Sequence, residues 1–345
     1  MVARSGARMR ADMAGQPGWL RGLADRRVEV AEALPAQTLG PAGAGLWTLA
    51  RGSSAHAASM VAPWLARATG APVPALRVDA VLSVPATLPP PGSVVIAISQ
   101  SGRTPDVVEA ARRLRTAGCH VVALVNERGA LASEASHVLE LGIGAERAIP
   151  ATKTVLAQVA LLWLLGIEAA SRPGDGDGVR RQVEVESLVD AVAEALADTE
   201  PVDRAVGRLV SAPPVAGTGR GVTSGLAAEW AHKVMETSGL PIFAASAAEL
   251  AHGPVAIAAP GRSVVGFAVD AAARRTVGDV LGRAEARGAE TLLVAPGGAI
   301  ALPQDELSGL LAGMVRAQML AERMAVALGC DPDVAFGLAK VTATQ

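Results

Sequence analysis

Two stretches of the chain repeat one order of apolar and polar positions. In the first, GLWTLARGSSAHAASMVAPWLARA reads as a strand, a glycine turn and a helix. The apolar runs VVIAIS and HVVALV follow as strands, with a helical spacing of apolar residues between them. From about residue 211 the order restarts. PPVAGTGRGVTSGLAAEWAHKVME is again strand, turn and helix, and SVVGFAV and ETLLVA are later strands separated by the helical AARRTVGDVLGRAEARG. Uninterrupted apolar strands belong in parallel sheets covered on both faces, so the pattern predicts an α/β chain of two tandem, doubly wound units whose parallel sheets are flanked by helices.

Punctuation between the repeats sets the expected boundaries. SRPGDGDGVRRQ is rich in Pro, Gly and Asp without apolar periodicity and marks a surface linker at about 171–180, after which QVEVESLVDAVAEALAD reads as a connecting helix. The expected organisation is a helical segment over 1–40, a first α/β domain over 41–172, linker and helix over 173–208, a second α/β domain over 209–330, and a tail over 331–345. The last helix should finish near Leu328.

Composition narrows the partners. Half of the 345 residues are hydrophobic, enough for two sizeable cores. A net charge of -2, three Phe and no Tyr leave neither a basic field nor stacking rings for nucleic acid. No apolar stretch is long enough for a membrane span and the N-terminus lacks an apolar signal core, so a cytoplasmic protein is expected, without a membrane or nucleic-acid partner. Cys119 and Cys330 read as small core residues, not a disulfide. The five histidines are scattered, which implies no metal, and no nucleotide motif or cofactor signature is present.

Candidate chemistry gathers at strand ends. In doubly wound sheets, ligands bind where the strands finish and helix N-termini present free N–H groups. Ser99, Gln100, Ser101 and Thr104 fall there, with Gly102 permitting close backbone approach and Pro105 suiting the first helical turn. Arg51, Gly52, Ser53 and Ser54 add donors at the first strand end. A phosphate group fits this collection; helix capping by Ser101 or Thr104 explains one hydroxyl and not four donors. In the second repeat, Glu229, Lys233 and Glu236 lie along one helical face, where a solvated surface pair is the alternative for Glu229 and Lys233. Glu236 sits at a helix end that disfavours a carboxylate, which suggests placement for proton transfer with a pKa raised by a dry site. His252 stands on a turn before Gly253 and Pro254. Lys340 lies in a tail whose Val334, Phe336 and Leu338 let it dock, and a docked lysine can attack a carbonyl.

The segments ARGSS, SQSGRTPD, AIPATKT, GRGVTSGLAAEWAHKVME, AELAHGP and GLAKVTATQ, in this order, resemble the tandem sugar isomerase (SIS) domain family. That family includes the isomerase half of glutamine:fructose-6-phosphate amidotransferase and free-standing glucosamine-6-phosphate deaminases. The resemblance covers about residues 45–345 and implies two flavodoxin-like domains. It implies that Ser54, Ser99, Gln100, Ser101 and Thr104, with Gly52 and Ser53, hold a sugar phosphate. Glu236 would move a proton between C1 and C2, supported by Glu229 and Lys233. His252 would open the ring, reaching the site of a neighbouring subunit in a homodimer, and Lys340 would stand near the open-chain carbonyl. Two departures concern Ala151, where amidotransferase relatives often carry serine, and Arg51, where they carry a small residue.

The chain begins MVARSGARMR, without the nucleophilic cysteine that opens a glutaminase domain. The expected reaction is therefore the ammonia-releasing one, from glucosamine 6-phosphate to fructose 6-phosphate, with a phosphorylated amino sugar or ketose phosphate as the ligand. A galactosamine-6-phosphate deaminase and a fructosamine-phosphate deglycase remain open, since the same acid, base and lysine serve all three. A sugar-phosphate sensor is the non-catalytic alternative; binding phosphate alone would require none of Glu236, His252 and Lys340.

Overall fold

The computed structural model describes residues 5–33, 45–84, 88–170 and 185–334. These group into two units. One comprises 22–33, 45–84, 88–145 and 157–170; the other comprises 5–21, 146–156 and 185–334. Ahead of the first strand come three short helices, α1 (Ala7–Ala14), α2 (Gln16–Leu20) and α3 (Arg27–Glu32). The expected linker at 171–180 lies outside the described residues.

The first sheet is built from β1 (Leu46–Ala50), β2 (Ala75–Leu76), β3 (Val94–Ser99), β4 (His120–Val125) and β5 (His137–Glu140). All pairs are parallel, in the order β2-β1-β3-β4-β5. Every residue of β3 is buried, as the apolar run requires of a central strand covered on both faces. Its helices are α4 (Gly52–Thr69), α5 (Val78–Ser83), α6 (Pro105–Thr116), α7 (Ala130–Ser133) and α8 (Lys153–Ala170). In α6 the buried residues Val107, Ala110, Ala111 and Leu114 form one stripe at helical spacing, which packs on Val95, Ala97, Val121 and Ala123.

The second sheet contains β6 (Pro214–Gly219), β7 (Phe243–Ser246), β8 (Ser263–Phe267), β9 (Glu290–Ala295) and β10 (Ile300–Ala301). Its order, β7-β6-β8-β9-β10, repeats that of the first sheet strand for strand, again all parallel. The helices of this part are α9 (Val185–Ala197), α10 (Glu200–Ser211), α11 (Val222–Ser238), α12 (Ala247–Ala251), α13 (Ala271–Glu285) and α14 (Glu306–Ala327). Helix α13 covers the sheet with Ala273, Val277, Val280, Leu281 and Ala284. Nearly all of α14 is buried, so its polar residues need partners inside the protein. Arg316 donates to the Asp198 carbonyl and carboxylate, Gln318 donates to the Thr152 carbonyl, and Glu322 pairs with Arg10.

The two sheets share a winding but differ where it matters for a ligand. In this strand order the crevice opens between the first strand and its central neighbour, β1/β3 in one sheet and β6/β8 in the other. At the second crevice the chain closes on itself. Asp270 accepts from the N–H groups of Ala272 and Ala273 and so occupies the N-terminus of α13. Thr223 accepts from the Arg220 N–H and donates to the Phe267 carbonyl. At the first crevice Thr104 is the N-cap residue of α6, yet its side chain makes no capping bond. An Asp270→Ala substitution is therefore expected to destabilise the protein by about 1 kcal/mol through the lost cap, whereas Thr104→Ala should be nearly neutral for stability. Denaturant midpoints of the two variants check this; equal losses would contradict the difference between the two helix ends.

Candidate functional site

The register that pairs Ala50 with Ile98 puts the ends of β1 and β3 side by side, so Arg51 with the first turn of α4 and the loop at 100–104 leave adjacent strand ends. Ser99 and Ser101 are 6% and 5% exposed, and the loop between β3 and α6 is fixed by its backbone. The Gln100 carbonyl accepts from the N–H groups of Asn126 and Glu127, and the Gly102 carbonyl accepts from Leu131. Gly102 has φ +60°, and a Cβ there would lie 2.9 Å from the Glu127 oxygen and the Gly129 nitrogen. Only glycine fits. The Ser101 hydroxyl accepts from the Arg103 N–H at 3.2 Å, which leaves its own O–H to donate.

At the neighbouring strand end, Gly52 opens α4 with φ +53°, and Ser53 and Ser54 fall in its first turn. Ser54 Oγ accepts from Nε2 of Gln158 at 3.0 Å, so this hydroxyl too is turned into a donor. Gln158, on α8, is fully buried, and nothing in the sequence pattern singled it out. Arg51 is not a spare cation for this crevice: its guanidinium pairs with Asp106 in the first turn of α6. Gln100 extends its amide toward Glu127 at 3.4 Å. The arrangement is a set of hydroxyl and backbone donors at two helix N-termini, which can hold an anion such as a phosphate.

The second candidate cluster lies on α11. Lys233 is 1% exposed, and Glu229 beside it is also buried, so the surface-pair alternative fails. Nζ of Lys233 stands 3.5 Å from a Glu229 carboxylate oxygen and hydrogen-bonds Oε2 of Glu236. Burial works against the ammonium, but the charges of Glu229 and Glu236, the bond to Glu236 and the charge of Glu146 outweigh it and raise the Lys233 pKa. Glu146 belongs to the segment that carries Ala151. Its carboxylate accepts from the backbone of Thr152 and Thr154 and from the Thr154 hydroxyl, and so shapes the loop on which Ala151 sits. Asp12 on α1 fixes the same loop through the N–H groups of Arg147 and Ala148 and an ion pair with Lys153 at 3.2 Å.

Glu236 departs from expectation. Burial pushes its pKa up, but the charge of Lys233 and the hydrogen bonds from His232 and Lys233 hold it at about 2. The dry surroundings are present; two nitrogen partners overrule them. His232, four residues before Glu236, was not anticipated, although the i, i+4 spacing shows in the sequence. His252 ends α12 on an exposed turn, where Gly253 has φ +143°. Val334, at the start of the tail, is exposed instead of docked, and Phe336, Leu338 and Lys340 lie outside the described residues. Cys119 and Cys330 are free thiols, Cys119 buried. No described helix is long and apolar enough to cross a membrane.

Residues 46–168 match the SIS domain. The chain is 36% identical over 280 residues to the isomerizing glutamine–fructose-6-phosphate aminotransferase of Aeropyrum pernix, a match over 73% of this chain and 44% of that protein. It is 31% identical to the protein of that name from Caulobacter vibrioides, over 72% and 44% respectively. The chain thus spans less than half the length of these two relatives. The C-terminal domain of glucosamine-fructose-6-phosphate aminotransferase from Francisella tularensis has the same fold, with TM-score 0.82, 20% identity and coverage of 94% of this chain and 97% of that one. So does a glucosamine-6-phosphate deaminase from Thermotoga maritima, with TM-score 0.75, 21% identity and coverage of 94% and 99%.

The ion pairs of Glu236 make stability pH-dependent. Its carboxyl is lowered from an ordinary 4.5 to about 2 in the folded chain, so the folded state binds the proton less readily than the unfolded one. The resulting stabilisation, on the order of 3 kcal/mol, is present above about pH 4.5 and lost as the pH falls toward 2. Lys233→Met should cost ~3–5 kcal/mol at neutral pH, because it leaves buried carboxylates unpaired, and should flatten this acid dependence. Denaturant titrations of both proteins between pH 7 and 3 test it. An unchanged acid slope in the variant would show that Lys233 does not hold Glu236 ionised.

Proposed function

We propose that this chain, which carries a SIS domain over residues 46–168, moves a proton between C1 and C2 of a phosphorylated sugar. Its proposed substrate is glucosamine 6-phosphate, converted to fructose 6-phosphate and ammonia. The observation that carries the reading is the uncapped N-terminus of α6 with two buried serines beside it, a donor set with no partner of its own chemistry within the loop. An anionic group answers it, and the curated relatives are named for a sugar phosphate, an amine and an isomerisation.

The chemistry follows in balanced steps. His252 opens the ring in this reading, and Lys340 stands by the carbonyl so formed. Glu236, held ionised, takes the proton from C2 and returns it to C1. With a proton passed from the amino nitrogen to O1, this leaves a hydroxyl at C1 and an imine at C2, to which water adds before ammonia departs as the ketone forms. A carboxylate with a pKa of about 2 is a weak base, so its basicity must recover when a substrate displaces one of its nitrogen partners. Glu229 and Lys233 keep it placed. The protein is further proposed to act as a homodimer in which His252 serves the neighbouring subunit. Light scattering that reports only a monomer under assay conditions would remove this last element.

A panel of glucosamine, galactosamine and fructosamine 6-phosphates, assayed for ammonia release, tests the substrate. Glucosamine 6-phosphate should be the best, and binding without turnover across the panel would favour a sensor. Glu236→Gln keeps the shape and removes the base, and should lower kcat by about 10²- to 10⁴-fold with KM little changed. Wild-type turnover by this variant would end the proton-transfer assignment. Ser99→Ala with Ser101→Ala should instead raise KM, at ~1.5–3 kcal/mol for each donor lost to a charged group. An unchanged KM would take the phosphate away from this loop.

A further inference from the structure

Helix α8 is apolar along most of its length, and Leu156, Val159, Leu161, Leu162 and Leu165 are all buried. Gln158 sits among them with no exposed surface. An amide taken out of water costs free energy that hydrogen bonds must offset. Here the offset is incomplete. Nε2 donates to Ser54 Oγ at 3.0 Å, while Oε1 is buried and finds no partner among the described residues. A methionine, of the same length and without a polar group to desolvate, would serve this core better, so stability does not account for the glutamine.

The other end of the same bond is unfinished. Ser54 is half-buried in the first turn of α4, and its O–H has no acceptor among the described residues. Gln158 occupies one lone pair of Oγ, which turns the hydroxyl hydrogen away from α8 and out of the core. We propose that Gln158 is a positioning residue for an anionic ligand group: it holds the Ser54 hydroxyl ready as a donor to that group, at the expense of stability. The inference rests on the reading of the strand ends of β1 and β3 as the phosphate site, and Gln158 itself touches no ligand. A free hydroxyl samples three staggered directions, so fixing the productive one in advance is worth about threefold in affinity. A hydroxyl that already accepts a bond is also polarised into a better donor, which adds to that factor.

Binding of fructose 6-phosphate to the full chain, followed by titration calorimetry, reads the effect without turnover. Gln158→Met keeps the length of the side chain but cannot donate, and should weaken binding about threefold or more while the thermal midpoint holds or rises. Ser54→Ala should weaken binding about tenfold or more, the worth of a hydrogen bond to a charged group. Adding Gln158→Met to Ser54→Ala should change affinity no further, because the amide acts only through this hydroxyl. If Gln158→Met keeps the wild-type affinity and lowers the midpoint, Gln158 is a structural residue and the proposal is overturned. An equal loss of affinity from Gln158→Met with and without Ser54 overturns it as well, since the amide then acts by another route. Gln158→Leu, also apolar, carries the same comparison should the methionine variant fold poorly. A wild-type chain that does not bind fructose 6-phosphate, or a Ser54→Ala variant that binds it as the wild type does, is a different result: it removes the phosphate contact on which the inference rests.

Discussion

A fully buried ammonium organises the second unit. Lys233 cannot stay charged in a dry interior without anions placed around it, and an uncharged lysine there would strand the carboxylates instead. The chain meets this demand with Glu229 and Glu236 on the same helix and with Glu146 from a distant segment. Two of these carboxylates have a second duty. Glu146 gathers the backbone and hydroxyls of Thr152 and Thr154, and Glu236 accepts from His232. The ionisation of the proposed base thus hangs on this cation, whose surroundings reach to the loop that Glu146 shapes.

The first unit works by a different economy, with partial charges in place of formal ones. Backbone carbonyls of Gln100 and Gly102 are spent on fixing the loop, and hydroxyl oxygens of Ser101 and Ser54 accept from Arg103 and Gln158. Each hydroxyl that accepts from the protein is left with a hydrogen to offer elsewhere. Arg51, the charge that might have dominated, is held by Asp106. Selectivity for an anion here would come from oriented dipoles at two helix ends.

Much of this was legible in the sequence, for physical reasons that also mark its limits. β3, β4, β6, β8 and β9 showed as apolar runs because parallel strands are buried on both faces, and α6, α11 and α13 showed through their stripes. The short edge strands β2, β5, β7 and β10 are partly exposed and carry no such run, and the helical segment expected over 1–40 is divided into the three short helices α1 to α3. Ser99, Ser101 and Gly102 were readable because they follow a strand and precede a helix. Glu146 and Gln158 were not, since only the folded chain brings them to Thr154 and Ser54. The sign of the Glu236 shift was misjudged because burial can be inferred from a helical pattern, while the reach of a lysine and a histidine to the same carboxylate depends on rotamers.

The carboxylate of Asp270 at the N-terminus of α13 has a consequence for the history of a duplicated winding. Two sheets with the same strand order offer two equivalent crevices, and a chain with both open would carry redundancy: damage to one could be tolerated while the other persisted. Here the helix end beside one crevice is capped by the chain's own side chain. That helix end serves the fold alone, while in the proposed reading the anion falls to the loops after β1 and β3 and the proton transfer to residues that follow β6 and β7. The two halves of such a chain should therefore diverge at unequal rates in the same topological positions.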